Sequence, residues 1–114
     1  MEKALVDALS EIFGKNVFPY VADINTPTPF CIWRQIGGMP LNYLGDEYSG
    51  KKNALIEVVV CTYSRLETAE LMRKVENRLV IAPLHATVMD GMKAIYDEET
   101  KLRAATQEFS IWTP

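Results

Sequence analysis

The stretch ALIEVVVCTY, residues 54–63, decides the fold, because it predicts a β-strand that is apolar on both faces. Residues two apart along a strand point to the same side of the sheet. One side of this strand carries Ile56, Val58 and Val60, and the opposite side is also mostly apolar. Such a strand is usually central in its sheet or covered by other elements. We therefore expect residues 54–63 to form the centre of the sheet.

A helix is predicted immediately after this strand. The sequence SRLE, residues 64–67, fits a capping box, in which Ser64 accepts a hydrogen bond from the amide three residues on and Glu67 reaches back. The residues that follow at helical spacing are Ala69, Met72, Val75, Glu76 and Leu79. Pro83 lies beyond the predicted end of the helix.

The rest of the chain predicts one more helix and five more strands. An apolar stripe predicts a helix over residues 2–13 that ends at Gly14. Strands are predicted within NVFPYV (16–21), FCIWRQI (30–36) and HATVMDG (85–91), and a closing hairpin turns near residues 97–100. The order α-β-β-β-α-β-β-β favours an α+β fold with a mainly antiparallel β-sheet and two α-helices packed on one face. We expect one domain over residues 1–114.

Composition excludes several classes of function. The chain has 114 residues, 48% hydrophobic and 24% charged, and a net charge of −3 with no basic stripe or polybasic cluster. We therefore expect no nucleic-acid recognition and no binding to an anionic membrane. The N-terminus is not a signal peptide and the apolar runs are too short to span a bilayer, so we expect a cytoplasmic protein. Cys31 and Cys61 each lie in an apolar strand and are expected to be buried free thiols rather than a disulfide.

One long connection is unexplained by strands and helices. GGMPLNYLGDEYSGKKN, residues 37–53, is longer than most loops of compact domains, and loops of this length are usually either functional or disordered. Its apolar residues are Met39, Leu41, Tyr43, Leu44 and Tyr48. The segment either folds back on its own domain or buries these side chains against another molecule, since tyrosine is enriched at interfaces.

The sequence nominates no catalytic, cofactor-binding or metal-binding residue. The one histidine, His85, has no cysteine or acid at ligand spacing around it. No nucleophile elbow, Walker loop or dinucleotide fingerprint is present. The acids at residues 97–99 fall in a predicted exposed turn, whereas a general acid needs a desolvated site. We expect that the protein is not an enzyme.

Four stretches together resemble a known family. They are the N-terminal helix leading into VFPYV, TPTPFCIWRQIGG, ALIEVVVCTYSRLETAELMRKVENRL, and YDEETKLRAATQEFSIW. Spaced in this way over nearly the whole chain, they resemble the tail completion proteins of long-tailed bacteriophages and prophages, which are also called tail-to-head joining or tail terminator proteins. The resemblance lies in the framework and not in individual site residues.

This resemblance implies a structural role. It implies a subunit that forms a ring, typically hexameric, which caps the tail tube and joins tail to head. The partners would be other copies of the chain, the tail tube and the head-connector proteins, with no cofactor and no catalysis. The protein would assemble in the host cytoplasm and remain in the virion tail. Our hypothesis is that the five apolar residues of the long connection lie at the subunit interface.

Other interpretations remain open at this stage. A ferredoxin-like α+β dimer that binds a ligand or acts as an enzyme would need polar groups converging in an apolar cavity, and Arg34, Glu57 and His85 are the candidates. A generic interaction module outside phage biology is a third possibility. Trp112, two residues from the C-terminus, either covers the second face of the sheet or meets a neighbouring molecule.

Overall fold

The computed structural model describes residues 1–23, 25–38 and 52–113. Within these ranges the chain forms two helices and six strands in the predicted order. The elements are α1 (Glu2–Phe13), β1 (Val17–Pro19), β2 (Phe30–Gly37), β3 (Lys52–Thr62), α2 (Arg65–Leu79), β4 (Thr87–Val88), β5 (Lys93–Tyr96) and β6 (Arg103–Thr113).

The strands form a single sheet with β3 near its centre. The order across the sheet is β1-β2-β3-β6-β4, and β5 also pairs with β6. Only β1 and β2 run parallel, and the other pairs are antiparallel. The two apolar faces of β3 therefore predicted its central position correctly. The fold is the α+β class expected, with a mainly antiparallel sheet and both helices on one face.

The core lies between the helices and one face of the sheet. The largest fully buried hydrophobic side chains are Phe109, Leu5, Leu9, Ile56, Met72, Leu79 and Ile111. Burying a side chain of this size contributes about 1.5–3 kcal/mol to stability. Phe109 and Ile111 point towards the helices, whereas Trp112 points to the other face and is 41% exposed. The closing strand thus holds the C-terminal residues in place, as its alternation predicts.

The predicted start of α2 is confirmed by one half of the expected capping box, whereas the backbone N–H of Ser64 donates to the hydroxyl of Thr62 at 2.9 Å and not to Glu67. The side-chain oxygen of Ser64 accepts a hydrogen bond from the backbone N–H of Glu67 at 3.3 Å. The buried hydroxyls of Thr62 and Thr68 lie 2.7 Å apart, and Thr68 also donates to the carbonyl oxygen of Ser64 at 2.7 Å. These bonds fix the turn from the centre of the sheet into α2, so the helix begins directly beside the ends of β3 and β6.

The long connection is shorter than predicted at both ends. Gly37 belongs to β2, and Lys52 and Asn53 belong to β3, where they pair with Thr113 and Trp112. The prediction was wrong here because β6 runs on to Thr113 and offers these residues ladder partners. The side-chain amide of Asn53 also donates to the hydroxyl of Ser110 at 2.8 Å, which strengthens this end of the ladder.

Candidate interaction surfaces

The predicted interface residues Met39, Leu41, Tyr43, Leu44 and Tyr48 lie outside the described residues. They belong to residues 39–51, which we call the 39–51 segment. Its two anchors, Gly38 and Lys52, are described. A Cβ atom at position 38 would overlap the carbonyl oxygen of Asn53, so only glycine fits there. The segment is thus tied to the sheet where β2 ends and β3 begins.

The face of the sheet opposite the helices carries a charged pair. Arg34 of β2 lies opposite Glu57 of β3, and its guanidinium contacts one carboxylate oxygen of Glu57 at 2.7 Å. Glu57 also lies directly opposite Glu108 of β6. Like charges at opposed positions destabilise a sheet, so Arg34 offsets a repulsion between the two strands. This arrangement gives the pair a structural role.

The three residues of the competing ligand-binding interpretation do not all come together. Arg34 and Glu57 form their pair on the open face of the sheet. His85 is exposed, and its neighbours Leu84 and Ala86 are buried in the core on the helix side. Among the described residues, no hydrogen bond or ion pair joins His85 to Arg34 or Glu57.

A groove lies between the first turn of α2 and strand β5, and we call it the β5 groove. It encloses about 720 Å³. The side chains that line it are those of Arg65, Leu66, Thr68, Ala69, Met92, Ala94, Ile95, Tyr96, Arg103, Ala104 and Ala105. The only charges among them are the two arginines, and Arg103 lies over the ring of Tyr96 at 4.1 Å. The groove is therefore apolar at its base and positively charged at its rim.

Sequence reasoning missed this groove. Its lining residues come from α2, β5 and β6, which are far apart along the chain. One local signal was available, since Ile95 and Tyr96 are consecutive apolar residues in a short strand beside a turn. When a strand at the edge of a sheet carries large side chains on both faces, the side chains on at least one face are exposed to solvent. Here Ile95 and Tyr96, which point to opposite faces, are both exposed.

A second, smaller groove lies between α1 and β1. It encloses about 430 Å³ and is lined by Val6, Val17, Pro19 and Trp33, with Glu2, Lys3 and Asp7 at its rim. Trp33 is buried, and its indole N–H has no hydrogen-bond partner among the described residues. The ring of Tyr20 packs against Trp33 with the ring centres 6.3 Å apart, which shields the indole from one side.

Both cysteines are buried free thiols, as predicted. Burial in the core raises the pKa of Cys31 to about 12, and the nearby thiol of Cys61 adds to the effect. Burial also raises the pKa of Cys61 to about 11. Since the thiolate is the reactive form of cysteine, neither residue is prepared for nucleophilic chemistry in the folded protein.

The predicted acidic turn lies after β5, where Asp97, Glu98 and Glu99 are all exposed. The carboxylate of Asp97 accepts a hydrogen bond from the backbone N–H of Glu99 at 3.0 Å, which closes the turn. Within residues 1–23, 25–38 and 52–113, no group of three or more histidine, cysteine, aspartate or glutamate side chains could hold a metal ion.

No helix in the described ranges is both long enough and apolar enough to cross a membrane.

Comparison with known proteins yields a structural likeness. No family model matches the sequence, and no curated protein matches it. Among solved structures, the chain is similar to a chain from the virion of a native gene transfer agent (GTA) particle, with a TM-score of 0.66 and 14% sequence identity. The match covers 98% of this chain and 92% of that chain. At this level of identity, the likeness establishes a shared fold.

Proposed function

We propose that this chain is a structural protein of a bacteriophage or prophage particle, and that copies of it form a ring that caps the tail tube and joins tail to head. The observation that carries the proposal is the fold, which is shared over nearly the full length of both chains with a protein that is part of a virion. The sequence pattern supports it independently, since the resemblance to tail completion proteins also extends over nearly the whole chain.

The surfaces of the molecule fit a protein that works by association. A ring is built from heterologous contacts, in which one patch of a subunit binds a different patch of the next copy. The β5 groove, with its exposed side chains Ile95 and Tyr96, offers one such patch. On this proposal, the chain binds copies of itself, the tail tube and head-connector proteins, assembles in the host cytoplasm and catalyses no reaction.

The proposal is tested by the assembly state of the purified protein. We expect light scattering to give a mass near six times that of one chain, and negative-stain microscopy to show rings with a central channel. A compact dimer with a closed, ligand-filled cavity would contradict the proposal and favour the ferredoxin-like alternative. A monomer at the highest soluble concentration would also count against it.

A further inference from the structure

We infer that the β5 groove is the receptor for the 39–51 segment of a neighbouring copy of this chain. The inference rests on the proposed function to the extent that both require self-association. It goes further by naming the two surfaces that meet and the head-to-tail arrangement of the copies that follows from them. Four features carry it: an unpaired strand edge, exposed apolar side chains, complementary charge, and the reach of the segment.

The first feature is the free backbone edge of β5. The N–H of Asp97 donates to the carbonyl oxygen of Leu102 at 2.9 Å, which closes the β5–β6 ladder. Because bonding alternates along an antiparallel pair, Ala94 and Tyr96 point their backbone N–H and C=O groups away from β6. No described strand pairs with this side of β5. Such an edge is a template for one more strand.

The second feature is the set of apolar side chains around the groove. Leu66 is 77% exposed, and Ile95, Tyr96 and Met92 are also exposed. Between them lie Ala69, Ala94 and Ala105, whose small side chains leave the groove deep. Exposed apolar surface concentrated in one place marks an interaction site. The groove therefore has room for large apolar side chains beside a free strand edge.

The third feature is charge. The two charged residues that line the groove, Arg65 and Arg103, are both positive. The 39–51 segment carries the apolar residues Leu41, Tyr43 and Leu44, followed closely by the acidic pair at residues 46–47. Apolar side chains in the groove would thus place the carboxylates near the arginines. Complementary charges of this kind fix register and partner choice.

The fourth feature is the reach of the segment, which keeps its acidic pair away from Arg103 of its own copy. The segment is anchored at Lys52, whereas Arg103 lies at the other end of β3, opposite Thr62. β3 has 11 residues, so its ends are about 33 Å apart at about 3.3 Å per residue. Asp46 is six residues from Lys52, and a fully extended chain of that length spans at most about 22 Å.

The pairing of these charges must therefore be made between copies. Each subunit offers the segment at one end of the β3–β6 ladder and the groove at the other end. Copies joined in this way are related head to tail, which is a heterologous contact. Such a contact closes into a ring when the rotation between neighbours divides a full turn, and otherwise it grows into a filament.

Photochemical cross-linking between copies tests the inference. Tyr43 is replaced by benzoylphenylalanine in an unlabelled, full-length chain, which is mixed with a ¹⁵N-labelled native chain before assembly. After irradiation, mass spectrometry distinguishes links within one copy from links between copies. We expect most links to join position 43 of the light chain to heavy peptides within residues 65–69 or 92–105.

A matched pair of variants controls the experiment. Leu66→Asp in the heavy chain should abolish links to the groove. Val21→Asp is the control, because Val21 is also exposed, at 76%, but lies at the other side of the sheet, so links should remain. Both positions are exposed, so both variants should fold. Assembled particles linked elsewhere, or linked only within one copy, would overturn the inference and leave the proposed ring standing. A sample that stays monomeric would overturn both.

Discussion

The two edges of the sheet differ in how they are protected. β1 ends in Pro19, which has no backbone N–H to donate, and α1 packs beside the strand. β5 contains no proline, and all four of its residues are exposed. Natural proteins commonly blunt exposed edges with proline or cover them with a helix. The sheet is therefore protected at the β1 edge and exposed at β5, which is the asymmetry that the proposed head-to-tail association needs.

The largest effect is expected from removing side chains that we propose bind at the β5 groove. Replacing Tyr43→Ser together with Leu44→Ser takes two apolar anchors from the 39–51 segment. Each is worth about 1.5–3 kcal/mol when buried, so association should weaken by more than about a hundredfold. Light scattering should show monomers at concentrations where the native protein is expected to assemble, and circular dichroism should show that the variant remains folded. An unchanged mass would count against an interface role for these residues.

A proline exchange between the two edges should have the next largest effect. Ala94→Pro removes an outward N–H of β5 without breaking a bond to β6, so association should weaken about tenfold through one lost hydrogen bond and its fit. Pro19→Ala restores a donor to the β1 edge and should leave association unchanged. Sedimentation at a series of concentrations measures both variants. If the two substitutions changed the association constant equally, the proposed difference between the β5 edge and the β1 edge would be contradicted.

Reversing one charge at the groove should have a smaller effect. Arg65→Glu should weaken association about threefold to tenfold, and less at high salt, because exposed charges are screened. An acid in the first turn of α2 suits the helix dipole, so the fold should tolerate it. Arg73→Glu, an exposed site further along α2, is the matched control. Asp46→Lys in the partner copy should restore binding to Arg65→Glu if the two charges meet.

The smallest effect is expected from thiol reagents at the β1 edge. Cys31 lies in β2 directly opposite Val17 of β1, and its pKa of about 12 leaves almost no thiolate at pH 8. The pKa of Cys61, about 11, has the same consequence. We expect neither thiol to react with a chromogenic disulfide at pH 8 until urea unfolds the protein. Rapid labelling of Cys31 in the folded protein would show that the β1 edge opens.

The sequence predicted those parts of the fold that depend on local pattern. The two apolar faces of β3, the Ser64 cap of α2 and the closing hairpin all follow from spacing within single segments. The parallel pairing of β1 with β2 did not follow, because it depends on contacts between distant residues. The start of β3 was also predicted wrongly. Lys52 and Asn53 are polar residues at the end of a glycine-rich stretch, and they belong to β3 only because β6 is long enough to pair with them.

Of the two candidate surfaces, the sequence predicts one and does not predict the other. The apolar character of the 39–51 segment could be recognised from the sequence alone, because its leucines and tyrosines lie between glycines and charged residues. The β5 groove could not be predicted from the sequence, since Leu66, Tyr96 and Arg103 are brought together only when β5 folds back along β6 beside α2. A free strand edge is likewise a property of the whole sheet order and not of any one segment.

Hydrogen exchange at the two edges distinguishes association through β5 from association through β1. Backbone exchange can be followed for the native protein while its concentration is raised from the monomeric to the assembled range. We expect the amides of Ala94 and Tyr96 to become protected on assembly, while the outward amide of Val17 does not change. Protection that appears only at the β1 edge, or at neither edge, would contradict the claim that copies join through the open edge of β5.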